Sequence, residues 1–162
     1  MTKSLSGLHI ELPGLPAFEL HSLVLDLNGT ITVDGKLIAG VEERVAALGQ
    51  VMNVYLLTAD TRGTAGAIAS DLGCRLHRLT SGNETEQKAA MVQQLGSAGV
   101  VAIGNGANDL LMLREAALGI AVLGPEGVAV VTLQGADIAV AGINDALDLL
   151  LNPTRLIATM RR

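Results

Sequence analysis

Aromatic residues are nearly absent from this chain of 162 residues, which contains one Tyr, one Phe and no Trp. Sites that hold single-stranded nucleic acid depend on aromatic side chains that stack against the bases. The formal net charge of −5 also disfavours a polyanionic partner, so we expect no nucleic acid partner. Cysteine is equally scarce: one residue, Cys74, excludes an internal disulfide bond and a zinc site built from cysteines.

Long hydrophobic runs are also missing. The most apolar region, residues 118–143, is interrupted by Pro125, Glu126 and Asp137, so no membrane-spanning segment is expected. The first residues lack the apolar stretch of a signal peptide. These observations favour a cytoplasmic protein without a membrane partner.

What the chain does have is an aliphatic core and a regular alternation of strands and helices. Hydrophobic residues make up 49% of the sequence, and short apolar runs alternate with stretches of helical periodicity. This alternation predicts parallel βαβ units, and strands that are apolar throughout are typical of a sheet covered on both faces. We predict an α/β fold with a doubly wound parallel sheet in a single domain, residues 1–162, in which residues 1–21 form an edge hairpin.

The pattern also gives the bounds of the elements. Strands are predicted at 22–27, 53–57, 75–79, 100–103, 119–122 and 137–140. Helices are predicted at 41–49, 62–72, 84–95, from about 108, at 126–134 and at 144–151. A second hairpin is expected around Gly35, and Asn83 and Glu86 have the spacing of a capping box at the start of the third helix.

Polar residues of the kinds that bind phosphate or metal follow three of these strands. They are Asp26 and Asn28, then Thr58-Ala59-Asp60, then Gly104-Asn105-Gly106-Ala107-Asn108-Asp109. Lys88 lies in the first turns of the helix after the third strand. Because the carboxyl ends of parallel strands share one edge of the sheet, where open α/β folds bind ligands, we expect these residues to converge there.

Each of these residues also has a purely structural interpretation. Lys88 and Glu84 are spaced for a surface ion pair on a helix. Thr58 and Asp109 are suited to capping helix starts. Gly104 and Gly106 could suggest a dinucleotide-binding loop, but the third glycine is missing and the loop follows the wrong strand.

Taken together, the four segments are similar in order and spacing to the motifs of the haloacid dehalogenase-like superfamily of phosphohydrolases. The resemblance covers residues 23–151 and is greatest to soluble members related to P-type ATPases. It implies a Rossmann-like three-layer sandwich in which Asp26 attacks phosphorus and forms an aspartyl-phosphate. By the same resemblance, Thr58, Ala59 and Lys88 bind the phosphoryl group together with Asp26.

The resemblance also implies a Mg²⁺ cofactor. Its predicted site comprises Asp26, the backbone carbonyl of Asn28, the side chain of Asn105, and Asp109, which orients water or Lys88 from behind the ligands. Asn28 stands where phosphatases of this superfamily carry an aspartate that serves as general acid and base, so slow turnover is expected. Asn105 likewise replaces a metal-binding aspartate, which predicts weaker Mg²⁺ binding.

The spacing between the motifs leaves no room for a cap domain, so we expect an open site. An open site suits a phosphorylated small molecule or a phosphoprotein as substrate, with a second subunit as a possible cover. Three functions remain open: an Mg²⁺-dependent phosphohydrolase or phosphotransferase, a catalytically silent phosphate-binding or phosphoprotein-binding module, and a carbon–halogen hydrolase. The last is disfavoured because such enzymes need no Mg²⁺ and carry a cap.

Overall fold

The computed structural model describes residues 4–59 and 63–162. Its centre is a parallel sheet of six strands. In spatial order they are β10 (Ile138–Val140), β9 (Leu118–Val122), β8 (Val100–Gly104), β3 (Ser22–Asp26), β6 (Asn53–Thr58) and β7 (Arg75–Arg78). The chain winds outward from β3 in both directions, which confirms the predicted doubly wound sheet. β3, β8 and β9 are buried along their whole length, as expected for strands covered on both faces.

Helices cover both faces of the sheet. They are α1 (Val41–Leu48), α2 (Ala65–Leu72), α3 (Glu84–Leu95), α4 (Leu110–Glu115), α5 (Val130–Gly135), α6 (Ile143–Leu151) and α7 (Pro153–Met160). Leu23 and Leu25 of β3 pack into a core with α1, α2, α6 and α7. Val24, between them, points to the other face and packs with α3 and α4. This alternation of side chains along one strand produces the three layers.

Two small hairpins accompany the sheet. β1 (Leu8–Ile10) pairs with β2 (Phe18–Leu20) in antiparallel fashion, within the region predicted to form a hairpin. β4 (Thr32–Val33) pairs with β5 (Lys36–Leu37) around Gly35, which confirms the second one. Between β3 and β6 the chain forms only this hairpin and α1, so no cap domain is inserted there.

The structure differs from the predictions in three places. Asn83 has a left-handed backbone, and its side chain makes no cap hydrogen bond, so the capping box with Glu86 is wrong. Instead, the amide of Gln87 accepts from the backbone N–H of Thr80 and donates to the carbonyl of Gly82. The side chain of Gln87 thus provides hydrogen bonds to the backbone of the loop before α3, in place of a cap by Asn83.

The other two differences lie in the last third of the chain. The helix predicted at 126–134 begins only at Val130, because a turn at residues 124–127 precedes it, with positive φ at Gly124 and Gly127. A final helix, α7, was not predicted, although Pro153 at its first turn is a start signal. Its Leu156 is fully buried. Within the described ranges, no helix has both the length and the apolar character needed to cross a membrane.

Candidate active site at the carboxyl edge of the sheet

A buried lysine joins two aspartates at the carboxyl edge of the sheet. Lys88 Nζ donates to Asp26 Oδ1 at 2.7 Å and to Asp109 Oδ1 at 2.6 Å. Asp26 ends the central strand β3, Asp109 follows β8, and Lys88 reaches them from the second turn of α3. The side chain of Lys88 is 2% exposed and that of Asp109 is fully buried. The interpretation of Lys88 as a surface partner of Glu84 is therefore wrong.

Burial and the charges of neighbouring groups together shift the pKa values of Asp26 and Lys88. Burial raises the pKa of Asp26 to about 6, and the charge of Asp109 acts in the same direction, whereas Lys88 opposes the shift. Burial also acts to lower the pKa of Lys88, but the two carboxylates outweigh it and hold that pKa above its usual value. The lysine is thus a fixed cation, and Asp26 is a carboxylate held at a cost in free energy.

Thr30 is a site residue that the sequence analysis did not single out. Its hydroxyl lies 3.0 Å from Asp26 Oδ2 and 3.1 Å from Asn105 Oδ1. A hydroxyl has one hydrogen to donate, so Thr30 donates to only one of these two oxygens at a time. The signal was available, because Thr30 belongs to the same short segment as Asp26, but a threonine after Gly29 is also an ordinary turn residue.

Asp109 holds the loop that follows β8. Its Oδ2 accepts from the backbone N–H groups of Asn105 and Gly106 at 3.0 and 2.9 Å. The strand end packs tightly against it, since a Cβ at Gly104 would lie 2.5 Å from Asp109 Cγ. Both carboxylate oxygens are therefore engaged, one by the loop and one by Lys88, which fits the predicted role of orienting Lys88.

Asn105 is fixed by the segment that leads into α5. The side-chain Nδ2 donates to the carbonyl of Gly127 at 3.0 Å, and the backbone carbonyl of Asn105 accepts from the N–H of Ala129 at 2.8 Å. Thr132, the buried residue of α5, donates to the carbonyl of Gly106 at 2.6 Å. These bonds leave Asn105 Oδ1 directed at Thr30 and the site, so the side chain has one defined orientation.

A cavity of about 280 Å³ opens over this arrangement. Its lining comprises Asp26, Asn28, Thr58, Ala59, Glu84, Lys88, Asn105, Gly106 and Asn108. The structure thus brings the predicted site residues together, with Asp109 directly behind Lys88, whereas Asp60 lies outside the described residues. Asn108, from the predicted segment after β8, also lines the cavity, although the sequence gave it no role, and Glu84 is a cavity residue that was not predicted.

Comparison with known proteins identifies the family. Residues 3–117 match the profile of haloacid dehalogenase-like hydrolases. The chain belongs to this family. Over 91 residues it is 45% identical to the uncharacterized protein MJ0073 of Methanocaldococcus jannaschii, and the match covers 54% of this chain and 98% of that protein.

The likeness to P-type ATPases is also confirmed. The chain is 31% identical over 155 residues to a copper-exporting P-type ATPase of Staphylococcus aureus, a match that covers 93% of this chain but 18% of the ATPase. Among solved structures, the 3-deoxy-D-manno-octulosonate 8-phosphate phosphatase of Moraxella catarrhalis, in complex with magnesium and phosphate, superposes with a TM-score of 0.66. That match is 20% identical and covers 88% of this chain and 94% of the phosphatase.

The donor atoms of this haloacid dehalogenase-like site fit Mg²⁺. Asp26 Oδ2 and Asn105 Oδ1 each lie about 3 Å from Thr30 Oγ1, and the backbone of Asn28 follows within two residues of Asp26. All of these donors are oxygens, which hard cations prefer. Among the described residues there is no cluster of three or more His, Cys, Asp or Glu side chains suited to a metal, so a Mg²⁺ site here would also need the oxygens of an amide and a backbone carbonyl.

Asp26→Asn is expected to stabilise the metal-free protein at neutral pH, because it removes a charge that burial disfavours. The folded protein binds more protons than the unfolded chain between pH 3.8 and about 6. The free energy of unfolding of the wild type should therefore fall, relative to the variant, as pH rises through this window. The advantage of the variant should be on the order of 1–3 kcal/mol above that window and vanish below it.

Urea denaturation in EDTA across this pH range measures the difference. Asp71→Asn, an exposed aspartate on α2, is the matched control and should show no such pH dependence. Equal stability of the wild type and Asp26→Asn above the window would contradict the prediction.

Asn105→Asp is expected to destabilise the metal-free protein, because a carboxylate oxygen would then face the carbonyl of Gly127 that now accepts from Nδ2. This hydrogen bond is part-buried and Gly127 is exposed, so its loss should cost on the order of 1 kcal/mol. Mg²⁺ should raise the melting temperature of this variant more than that of the wild type, since a carboxylate binds the cation more tightly.

Thermal unfolding in EDTA and in Mg²⁺ tests both statements. Asn28→Asp adds the same charge to the same cavity from an exposed side chain, so in EDTA it should cost less stability than Asn105→Asp. If both variants lose the same stability in EDTA, the bond to Gly127 is not the cause.

Proposed function

We propose that this protein is an Mg²⁺-dependent phosphohydrolase or phosphotransferase with Asp26 as its nucleophile. One observation carries the proposal: the Asp26 carboxylate lines the cavity, with one oxygen bound to the fixed cation Lys88 and the other beside Thr30. This arrangement orients a carboxylate and keeps positive charge next to it. Membership of the haloacid dehalogenase-like hydrolase family supports the same assignment.

In the first step, an Asp26 oxygen forms a bond to phosphorus while the bond from phosphorus to the leaving oxygen breaks. Water then attacks the aspartyl-phosphate, which releases phosphate and restores the carboxylate. Lys88 and the Thr58 hydroxyl stabilise the negative charge on the phosphoryl oxygens, together with the backbone at Ala59. Asp109 keeps Lys88 in position through their contact of 2.6 Å.

Asp26, Asn105 Oδ1 and the carbonyl of Asn28 would hold Mg²⁺ in this site. When bound, the cation neutralises charge on the phosphoryl group. Two asparagines leave this set with fewer negative charges than two carboxylates would, so we propose that Mg²⁺ binds weakly. Asp109 contributes indirectly, because its oxygens are already engaged by Lys88 and the loop N–H groups.

Asn28 limits the rate in this proposal. An amide can orient a water molecule, but it neither gives a proton to the leaving group nor takes one from water at neutral pH. Good leaving groups, such as aryl and acyl phosphates, need little proton transfer and should be the better substrates. The aspartyl-phosphate should persist for the same reason, because the attacking water lacks a base.

The substrate class proposed is a phosphorylated small molecule. The cavity of about 280 Å³ accommodates a phosphate and a small leaving group, and the Moraxella protein of similar fold is itself a sugar phosphate phosphatase. The cavity is open to solvent and no cap is inserted between β3 and β6. A phosphoprotein substrate and a second subunit over the site therefore remain predictions from the sequence.

A binding module without turnover is the second candidate. The observation that favours it is the orientation of Asn105, whose amide is bonded to Gly127 and built into the loop, together with an amide at position 28. In that case the scaffold would hold phosphate between Lys88 and Thr58 and release it unchanged.

Hydrolysis of an aryl phosphate separates the two candidates. The wild type should release phosphate only when Mg²⁺ is present, and Asp26→Asn should abolish the release because it removes the nucleophile. The matched control is Asp71→Asn, which changes an exposed aspartate of α2 and should retain full activity. Folded wild-type protein that releases nothing above the level of Asp26→Asn would favour the binding module.

Asn28→Asp should accelerate turnover by roughly 10²–10⁴-fold, the usual contribution of general acid–base catalysis. The gain should be larger for an alkyl than for an aryl phosphate, because an alkoxide needs the proton more. Asn53→Asp, at the amino end of β6, adds the same charge far from the cavity and should not change the rate. No gain for either substrate would contradict the role proposed for position 28.

A further inference from the structure

Glu84 places a carboxylate in the wall of the cavity that the proposed chemistry does not use. It is the first residue of α3, one turn before Lys88, and it lines the cavity. Its Oε2 accepts from Asn108 Nδ2 at 3.1 Å, so α3 and the loop after β8 meet there. Both side chains are half-buried, whereas Asp26 and Lys88 are buried. Glu84 and Asn108 therefore lie nearer the mouth of the cavity.

No cation in the described part of the chain lies within ion-pair distance of the Glu84 carboxylate. Lys88 is bonded to Asp26 and Asp109 instead. Among the residues that the structure describes, three carboxylates, of Asp26, Glu84 and Asp109, thus accompany one ammonium at this site. A carboxylate that these residues leave without a cationic partner, at the mouth of a site that takes a phosphate dianion, requires an explanation.

The direction of the reaction supplies one. In phosphoryl transfer the attacking and leaving oxygens are roughly in line. With Asp26 attacking from the floor of the cavity, the leaving group points toward its mouth, where Glu84 and Asn108 lie. The leaving group, and not the phosphate, is then the part of the substrate that meets Glu84.

We propose that the pair of Glu84 and Asn108 selects the leaving group by charge. The preferred substrates are phosphate monoesters whose leaving group carries an ammonium or hydroxyl close to the ester, which can donate to Glu84. Esters that carry a carboxylate or a second phosphate at that position are rejected by repulsion. This inference rests on the proposed function, and it narrows the substrate class from phosphorylated small molecules in general to esters of this kind.

If Glu84 only stabilised the start of α3, its substitution would not change which leaving groups the cavity prefers. Acidic residues in the first turn of a helix stabilise it through the helix dipole, and Glu86 shares that turn of α3 with Glu84. Glu86 is exposed and does not line the cavity. Glu86→Gln therefore matches Glu84→Gln in charge and position on the helix but leaves the cavity unchanged.

The test measures inhibition constants, so that slow turnover of alkyl esters does not interfere. Phosphoethanolamine, 2-hydroxyethyl phosphate and phosphoglycolate have a similar two-carbon skeleton and carry an ammonium, a hydroxyl and a carboxylate, respectively. Each is assayed as a competitive inhibitor of 4-nitrophenyl phosphate hydrolysis by the wild type, Glu84→Gln and Glu86→Gln.

The wild type should bind the three compounds in that order, the ammonium compound most tightly. Glu84→Gln should reduce the ratio between the inhibition constants of the carboxylate and ammonium compounds, on the order of five-fold to ten-fold for a partly screened charge pair. Glu86→Gln should leave the ratio unchanged.

An unchanged ratio in Glu84→Gln, an equal change in Glu86→Gln, or no inhibition by any of the three compounds would overturn this inference while Asp26-dependent hydrolysis still supports the proposed function. Absence of Asp26-dependent hydrolysis of 4-nitrophenyl phosphate would overturn the proposed function, and this inference with it.

Discussion

The buried ammonium of Lys88, held between Asp26 and Asp109, is the interaction on which the rest of the site depends. Each residue comes from a different element, and only the packing of α3 beside β3 and β8 brings them together. Removing Lys88 would leave two buried carboxylates without a counter-charge, whereas removing the charge of Asp26 would leave one carboxylate, Asp109, for the one ammonium. The triad therefore stabilises one arrangement of the sheet edge. The charged form of Asp26 nevertheless carries an unfavourable free energy there, since burial raises its pKa to about 6. A charged carboxylate is kept where a neutral group would fit more easily.

The two asparagines change this site in different ways. Asn28 is exposed and lines the cavity, so an aspartate there would alter the chemistry more than the fold. Asn105 is integrated into the structure through Gly127, and the same segment carries Thr132 bonded to Gly106. The segment from Gly124 to α5 thus determines how the side chain at position 105 faces the site. A substitution at that position would therefore change the stability of the loop and the proposed Mg²⁺ site together.

Sequence reasoning predicted the strands of the sheet closely because buried strands need continuous apolar runs, as in Val100–Gly104. It failed where a local sequence signal was overridden by another hydrogen bond or turn. Asn83 has the residue type of a helix cap, but Gln87 satisfies the loop instead. The turn between Gly124 and Gly127 shortened the helix predicted from residue 126. For the site, motif order gave Asp26, Thr58, Lys88 and Asn105, whereas Asn108 stood in a motif without an assigned role and Glu84 belongs to no motif.

The sequence by itself determined the family and the layer architecture, because both depend on periodicity and on motif order along the chain. It also determined which side chains are present at the carboxyl edge, including two amides in place of carboxylates. The tertiary structure alone decided that Lys88 is buried, that Thr30 faces both Asp26 and Asn105, and that Glu84 lies in the cavity wall. Those properties depend on distances between residues far apart in the chain, and a pattern of residue types carries no information on the contacts that desolvate a charge or orient an amide.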